Sequence, residues 1–194
     1  MSTAPVIVIG MHRSGTSLVT RVLEQLGLFM GWRKENNDEA WFFHRLNIWL
    51  LAQAGGSWEC PGAIRHVLDA PDVRATVRDY LGLMMRSPRA ASYMGIGRYL
   101  RRRSITAMDG VWGWKDPRNT FTLPLWLDLF PEARVINVVR HGVDVAESLR
   151  KRHEWGYARL EARYRLLRPL MRLWMRQTPL VPSGRCKQLD GGFS

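Results

Sequence analysis

The stretch VIVIGMHRSGTSL, which begins at Val6, constrains the fold more than any other part of this 194-residue chain. Its first residues are a short branched apolar run, suited to a strand buried on both faces of a parallel sheet. Past Gly10 and Gly15 the sequence changes period: Leu18, Val19, Val22, Leu23 and Leu26 recur at helical spacing, and Gly27 ends the run. A strand that turns through glycines directly into a helix needs a parallel neighbour, because the helix carries the chain back across a sheet face.

The turn itself has a recognisable shape. Gly10, Met11, His12, Arg13, Ser14, Gly15, Thr16 and Ser17 reproduce the glycine spacing of a Walker loop, whose successive N–H groups converge on phosphate oxygens at a helix start. Thr16 stands where the ATP-binding lysine belongs, and no obvious strand ends in an aspartate for magnesium, so a standard magnesium-dependent ATPase is disfavoured. Arg13 instead places a cation inside the loop. Backbone donors and the hydroxyls of Ser14, Thr16 and Ser17 suit a phosphate, and the Arg13 guanidinium can bridge a terminal phosphate and a group being transferred. The bland alternative is a structural turn without a ligand; His12, beside the loop, is read as stabilising it by a hydrogen bond rather than as an acid or base.

A second strand-turn-helix follows far along the chain. ARVINVVR, residues 133–140, reads as another buried strand, and HGVDVAESLRKR continues it with Val143, Ala146 and Leu149 at helical spacing and Asp144 near the helix start. Arg140 closes the strand and Ser148 lies in the helix. Ligands of open α/β sheets bind beyond the carboxyl ends of the strands, so Arg140 and Gly10 face one crevice if their strands are neighbours. Two anion-holding centres in one crevice select a nucleotide phosphorylated at both ends of its ribose; otherwise Arg140 pairs with Asp144 or Glu147.

The elements between and after these blocks are less patterned. LNIWLLAQAG, from Leu46, reads as a short apolar helix; residues 55–64 as an irregular surface segment; Pro71 to Met85 as a helix; GVWGWKDPRN as a short aromatic strand and turn; and TLPLWLDLF as a helix ending before Pro131. RYLRRR, residues 98–103, is locally basic and fits a solvated helix end. From Glu154 to Gln177 the stripe Leu160, Tyr164, Leu167, Met171 and Trp174, interrupted by Pro169, fits a helix packed on the sheet, with membrane-surface binding as a weaker reading. The order of elements gives one three-layer α/β/α domain over residues 1–178, with an acceptor-side insertion or cap at 31–104 and a flexible tail at 179–194.

Composition narrows the partner. Twenty-nine Lys and Arg against 17 Asp and Glu leave a formal charge of +12, which calls for an anionic partner without naming it. No aromatic-basic motif supports nucleic acid, and none is expected. Cys60 and Cys186 form no zinc-like cluster and are expected as reduced thiols, with no metal site. Neither a signal peptide nor a transmembrane segment is apparent, which makes a cytoplasmic location the default.

GMHRSGTSLVTRVLEQLG together with WGWKDPRNTFTLPLWLDLFPEARVINVVRHGVDVAESL resembles the two nucleotide-binding blocks of the PAPS-dependent sulfotransferases, in particular their bacterial and Golgi-like branch. The likeness covers roughly residues 5–150 and implies a P-loop nucleoside-kinase-like sheet that binds 3′-phosphoadenosine 5′-phosphosulfate (PAPS) and passes its sulfuryl group to a hydroxyl or amine, without a metal. It implies Arg13 in place of the usual loop lysine, Ser14 to Ser17 around the 5′-phosphate, Arg140 and Ser148 on the 3′-phosphate, and Lys115 as a second cation at the transfer centre. Glu39 lies where several relatives place an acidic base; His44 and Asp116 are rivals, with packing beside Trp41 and a turn bond as their structural readings. Trp32, Trp41, Phe42, Phe43 and Trp58 line an acceptor pocket or form the core of a cap. GRCKQ departs from the basic glycine loop with which such enzymes close over the nucleotide, so the nucleotide site is expected to be open, completed by a partner, or defective. A noncatalytic PAPS-binding module or truncated homologue is therefore the second reading and a small-molecule kinase the third. The acceptor is a small molecule or carbohydrate, and the oligomeric state, a dimer included, is left open.

Overall fold

In the computed structural model, which describes residues 4–174 and side chains as far as residue 167, three parallel strands lie in the order β2-β1-β3. They are β1 (Val6–Gly10), β2 (Gly113–Lys115) and β3 (Arg134–Val138). The helices in chain order are α1 (Thr16–Gln25), α2 (Trp41–Gln53), α3 (Arg65–Leu68), α4 (Pro71–Arg86), α5 (Ala91–Met94), α6 (Ile96–Arg102), α7 (Asn119–Leu129) and α8 (Gly142–Trp174). Val8 lies opposite both Lys115 and Ile136, so the carboxyl ends of all three strands open at one edge.

Alternation along β1 divides the core. Ile7 points into a large cluster built from α2, α4 and α7, whereas Val8 points into a small one with Leu28 and Met30, against which Val19 and Leu23 of α1 pack. Helices thus cover both faces of a small parallel sheet, an α/β/α-like arrangement. The large cluster is aromatic. Phe43 stacks on Trp114 with ring centroids 4.0 Å apart and meets Trp126 edge-on at 5.3 Å. These contacts explain why α2 starts at Trp41 rather than Leu46: Phe42 and Phe43 are buried, so the first turn is fixed by packing that the period from Leu46 does not reveal. The predicted helices through Leu18 to Leu26, from Pro71 to Met85 and before Pro131 are present as α1, α4 and α7.

One expectation is overturned. β3 is not a buried strand: it is the edge of the described sheet, and Arg134, Val135 and Asn137 are exposed. A run of branched apolar residues reports compatibility with a covered sheet, and does not by itself supply the layer that covers it. Cys186, and with it the expectation for the pair Cys60 and Cys186, lies outside the described residues, as does the GRCKQ segment.

The chain divides into two compact units, Met1–Ala146 and Glu147–Ser194. In the second, α8 continues through Pro169 as helix. Of the predicted stripe, Leu160 and Tyr164 are exposed and Leu167 is half-buried, and Arg165–Glu161 and Arg150–Glu147 pair at 2.7 Å at helical spacing. Met171 and Trp174 have side chains outside the described set, and Gln177 lies beyond it.

Candidate active site

The glycine loop leaves β1 through a position that tolerates no side chain. Gly10 has φ +147°, and a Cβ there would sit 2.5 Å from the Val138 carbonyl oxygen of the neighbouring strand. The Gly10 N–H donates to Thr120 Oγ1 at 3.2 Å, which ties the loop root to α7. Beyond it the Ser14 N–H returns to the Met11 carbonyl at 3.1 Å. Arg13, at φ 70°, and Gly15, at φ 102°, are both left-handed. A non-glycine residue in that region costs about 1 kcal/mol or more and is commonest at ligand-binding sites. Ser14 is buried, and its Oγ has no hydrogen-bond partner. Thr16, at the lysine position, is also buried beneath Gly10, while Arg13 and Met11 are exposed.

Neighbouring strands bring the second motif to this loop. Arg140 Nη1 donates to the Arg13 carbonyl at 3.2 Å, while its Nε lies 3.7 Å from Asp144. Arg140 thus touches both the glycine loop and Asp144. Ser148, half-buried, is on α8 in the second unit.

Lys115 ends β2 with its side chain buried, and its Nζ pairs with Glu39 Oε1 at 2.9 Å. The same ammonium donates to the Asn37 carbonyl, which also accepts the Ser17 hydroxyl at 2.7 Å. Residues 34–40 form a tight turn closed by a bridge between Lys34 and Ala40, and Arg21 of α1 holds Asp38 at 3.0 Å. The turn therefore clasps the start of α1 and the end of β2 together. A buried ammonium and carboxylate each lose much hydration, so removing one partner alone leaves an uncompensated charge.

Asp116, the next residue, is fully buried. Burial pushes its carboxyl up, but hydrogen bonding from His44 and the Arg118 charge outweigh burial and hold it below the ordinary value. His44 Nδ1 lies 3.4 Å from Asp116 Oδ2, and Arg118 Nη1 lies 3.2 Å from Oδ1. Asn47 of α2 donates to Asp116 at 3.2 Å and to Asn119 Oδ1 at 2.8 Å, and accepts from Thr122 and Trp126, each at 2.8 Å. Asn119 also accepts from Trp114 Nε1 and donates to the Val8 carbonyl at 3.3 Å. Asp116 is thus a structural hub; as a low-pKa carboxylate already saturated with donors it is a poor proton acceptor.

The five aromatic residues expected at an acceptor pocket or in a cap separate. Phe42 and Phe43 are core, Trp32 is 74% exposed, Trp41 lies under the Arg33 guanidinium at 4.2 Å, and Trp58 meets the ring of His12 at 4.7 Å. Sequence reasoning assigned no role to Asn37, Asn47, Arg118, Asn119 or Thr120. The last three were in view within WKDPRNT, where a turn followed by side-chain amides and hydroxyls marks a helix start; nothing local marks Asn47, which is polar inside an apolar helix.

Among the described residues no group of three or more His, Cys, Asp or Glu is placed to hold a metal, and no helix is long and apolar enough to cross a membrane. No curated protein and no solved structure matches the chain. The model of the Sulfotransferase family matches residues 5–191, nearly its full length. With the glycine loop and the strand-end lysine and arginine at one sheet edge, that match identifies the chain as a member of the sulfotransferase family.

Proposed function

We propose that the protein transfers the sulfuryl group of PAPS to a hydroxyl, or an amine, of a small molecule or carbohydrate, on a sheet of the P-loop nucleoside-kinase type. The observation that carries this reading is the contact of Arg140 with the Arg13 carbonyl, which joins two motifs 127 residues apart in sequence at one edge. The residues present fit such a donor: the cradle at Gly10 excludes any side chain, and the buried Ser14 hydroxyl lacks an acceptor that a 5′-phosphate would supply. Gly10 through Ser17 then hold the 5′-phosphate, and Arg140 the 3′-phosphate.

Glu39 is the base in this scheme. As the acceptor oxygen bonds to sulfur, its proton passes to Glu39, and the bond from sulfur to the bridging phosphate oxygen breaks, leaving 3′-phosphoadenosine 5′-phosphate (PAP). Proton transfer cancels the charge of Glu39, so the Lys115 ammonium loses its partner as negative charge develops on the transferring oxygens. Arg13 meets the leaving phosphate oxygen. Such focused donors stabilise charge that exists only in the transition state, and loss of one costs about 10²–10³ in turnover. A second assignment makes His44 the base, because Asp116 orients its ring.

Incubation with sulfur-labelled PAPS and a panel of hydroxyl acceptors, alongside a PAP-binding titration, tests the proposal. Labelled product that disappears in Glu39→Gln but survives in His44→Asn supports Glu39; the reverse moves the role to His44. Saturable PAP binding without transfer to any acceptor supports the noncatalytic reading. A folded protein that binds neither nucleotide overturns the proposal.

A further inference from the structure

We propose that Trp32 and helix α6 form a docking surface for an anionic lipid bilayer. No residue of α6 is buried. Ile96 and Leu100, one turn apart, are 72% and 57% exposed, and Trp32 is 74% exposed. Trp32 and Ile96 border one shallow groove with Arg98 and Arg101; the same two arginines, with Arg102, border the adjoining groove. Apolar side chains and arginines therefore share one continuous surface.

Trp32 is fixed at its main chain and along one face of its ring. Its backbone N–H donates to the Tyr93 carbonyl at 2.7 Å, and the indole lies over Gly95, where a Cβ would come within 3.4 Å of it. Arg98 is fixed by lying over the Phe29 ring at 4.4 Å, and Arg102 pairs with Asp109.

The chemistry distinguishes a bilayer from other anions. A site for a soluble anion surrounds its ligand with inward-facing donors, and a nucleic-acid surface gains from flat stacking rings. Neither uses a protruding isoleucine and leucine. An interface of lipid headgroups and upper acyl chains uses both features: aliphatic side chains and an indole enter the boundary, and arginines remain at the phosphates. This inference stands independently of the transfer reaction proposed above.

Vesicle co-sedimentation of the full chain tests it, with phosphatidylcholine alone and with phosphatidylglycerol added. Binding is expected only when the anionic lipid is present. Arg101→Gln should weaken it by about fivefold, the contribution of one arginine near such a surface. Trp32→Ser with Ile96→Ser should weaken it by about tenfold or more, because inserted apolar area is lost. Arg65→Gln, an exposed arginine elsewhere, should change it less than Arg101→Gln. Far-ultraviolet dichroism of each variant checks that it is folded; loss of binding with an intact spectrum supports the proposal. Wild-type binding by the Trp32/Ile96 double variant, competition by soluble glycerol phosphate as effective as by vesicles, or no preference for anionic vesicles would each overturn it.

Discussion

The two faces of β1 are built to different depths. On the Ile7 side, three tryptophans, Phe43 and Tyr93 are almost wholly inaccessible, and a buried network runs from Asn47 through Asp116 and Asn119 to Val8. On the Val8 side only Val8, Leu28 and Met30 are buried in the cluster, and Leu18 and Val22 of α1, with Leu26 just past its end, are exposed. The candidate site lies at the strand ends on the thinner side. Lys115, in register with Val8, turns toward α1 and is buried there by its pairing with Glu39 and the Asn37 carbonyl, whereas the loop and Arg140 are held largely by backbone geometry. Positioning of the proposed base and cation is thus a property of a buried ion pair, and positioning of the proposed phosphate groups a property of the turn.

The largest effects should come from the deep side. Phe43→Ala removes a ring stacked on Trp114 and should cost about 3–5 kcal/mol in a denaturant titration. Leu26→Ser should differ from wild type by less than about 0.5 kcal/mol in the same titration. Equal losses would show that the two faces are not unequal in depth.

Next in size is the ion pair. Lys115→Met leaves Glu39 buried without its partner and should destabilise by about 3–5 kcal/mol. Adding Glu39→Gln should recover much of that stability while transfer stays lost. Recovery of transfer together with stability would confine the pair to a structural role.

Much of this contrast was legible in the sequence, though unevenly. VIVIG and the helix after it were readable because a buried strand and an amphipathic helix each carry their own period. The edge status of β3 was not, because ARVINVVR reads alike whether or not a layer covers it. Arg13 and Arg140 were singled out as cations just past a strand, and Lys115 through the family resemblance. Their companions were harder: Lys115 and Glu39 were singled out separately, but a contact across 76 residues has no local signature. Asn47 and Thr120 act through tertiary hydrogen bonds alone.

Acid should expose the network next. Because the folded Asp116 carboxyl titrates below its ordinary value of 3.8, its contribution is fully present above that value and is lost as pH falls through the lower, folded one. Below about pH 4 wild-type stability should fall more steeply than that of Asp116→Asn, by up to about 1.4 kcal/mol per pH unit, the slope of one proton. Parallel curves would mean that Asp116 is not held ionised by His44 and Arg118.

The smallest effect bears most directly on the shallow side. Thr120 Oγ1 accepts the Gly10 N–H, the one side-chain bond from the α7 face to the root of the loop among the hydrogen bonds described. Thr120→Val keeps the shape and removes the acceptor, so a loss of about 1 kcal/mol is expected, with Thr120→Ser restoring it. If this bond sets the loop, PAP affinity should fall in the valine variant and return in the serine variant. A purely structural bond would change the denaturation midpoint and leave PAP affinity as it was. The comparison separates two accounts of the shallow half: in one the loop keeps its shape through its own glycines, and in the other it borrows rigidity from the deep core across a single hydroxyl.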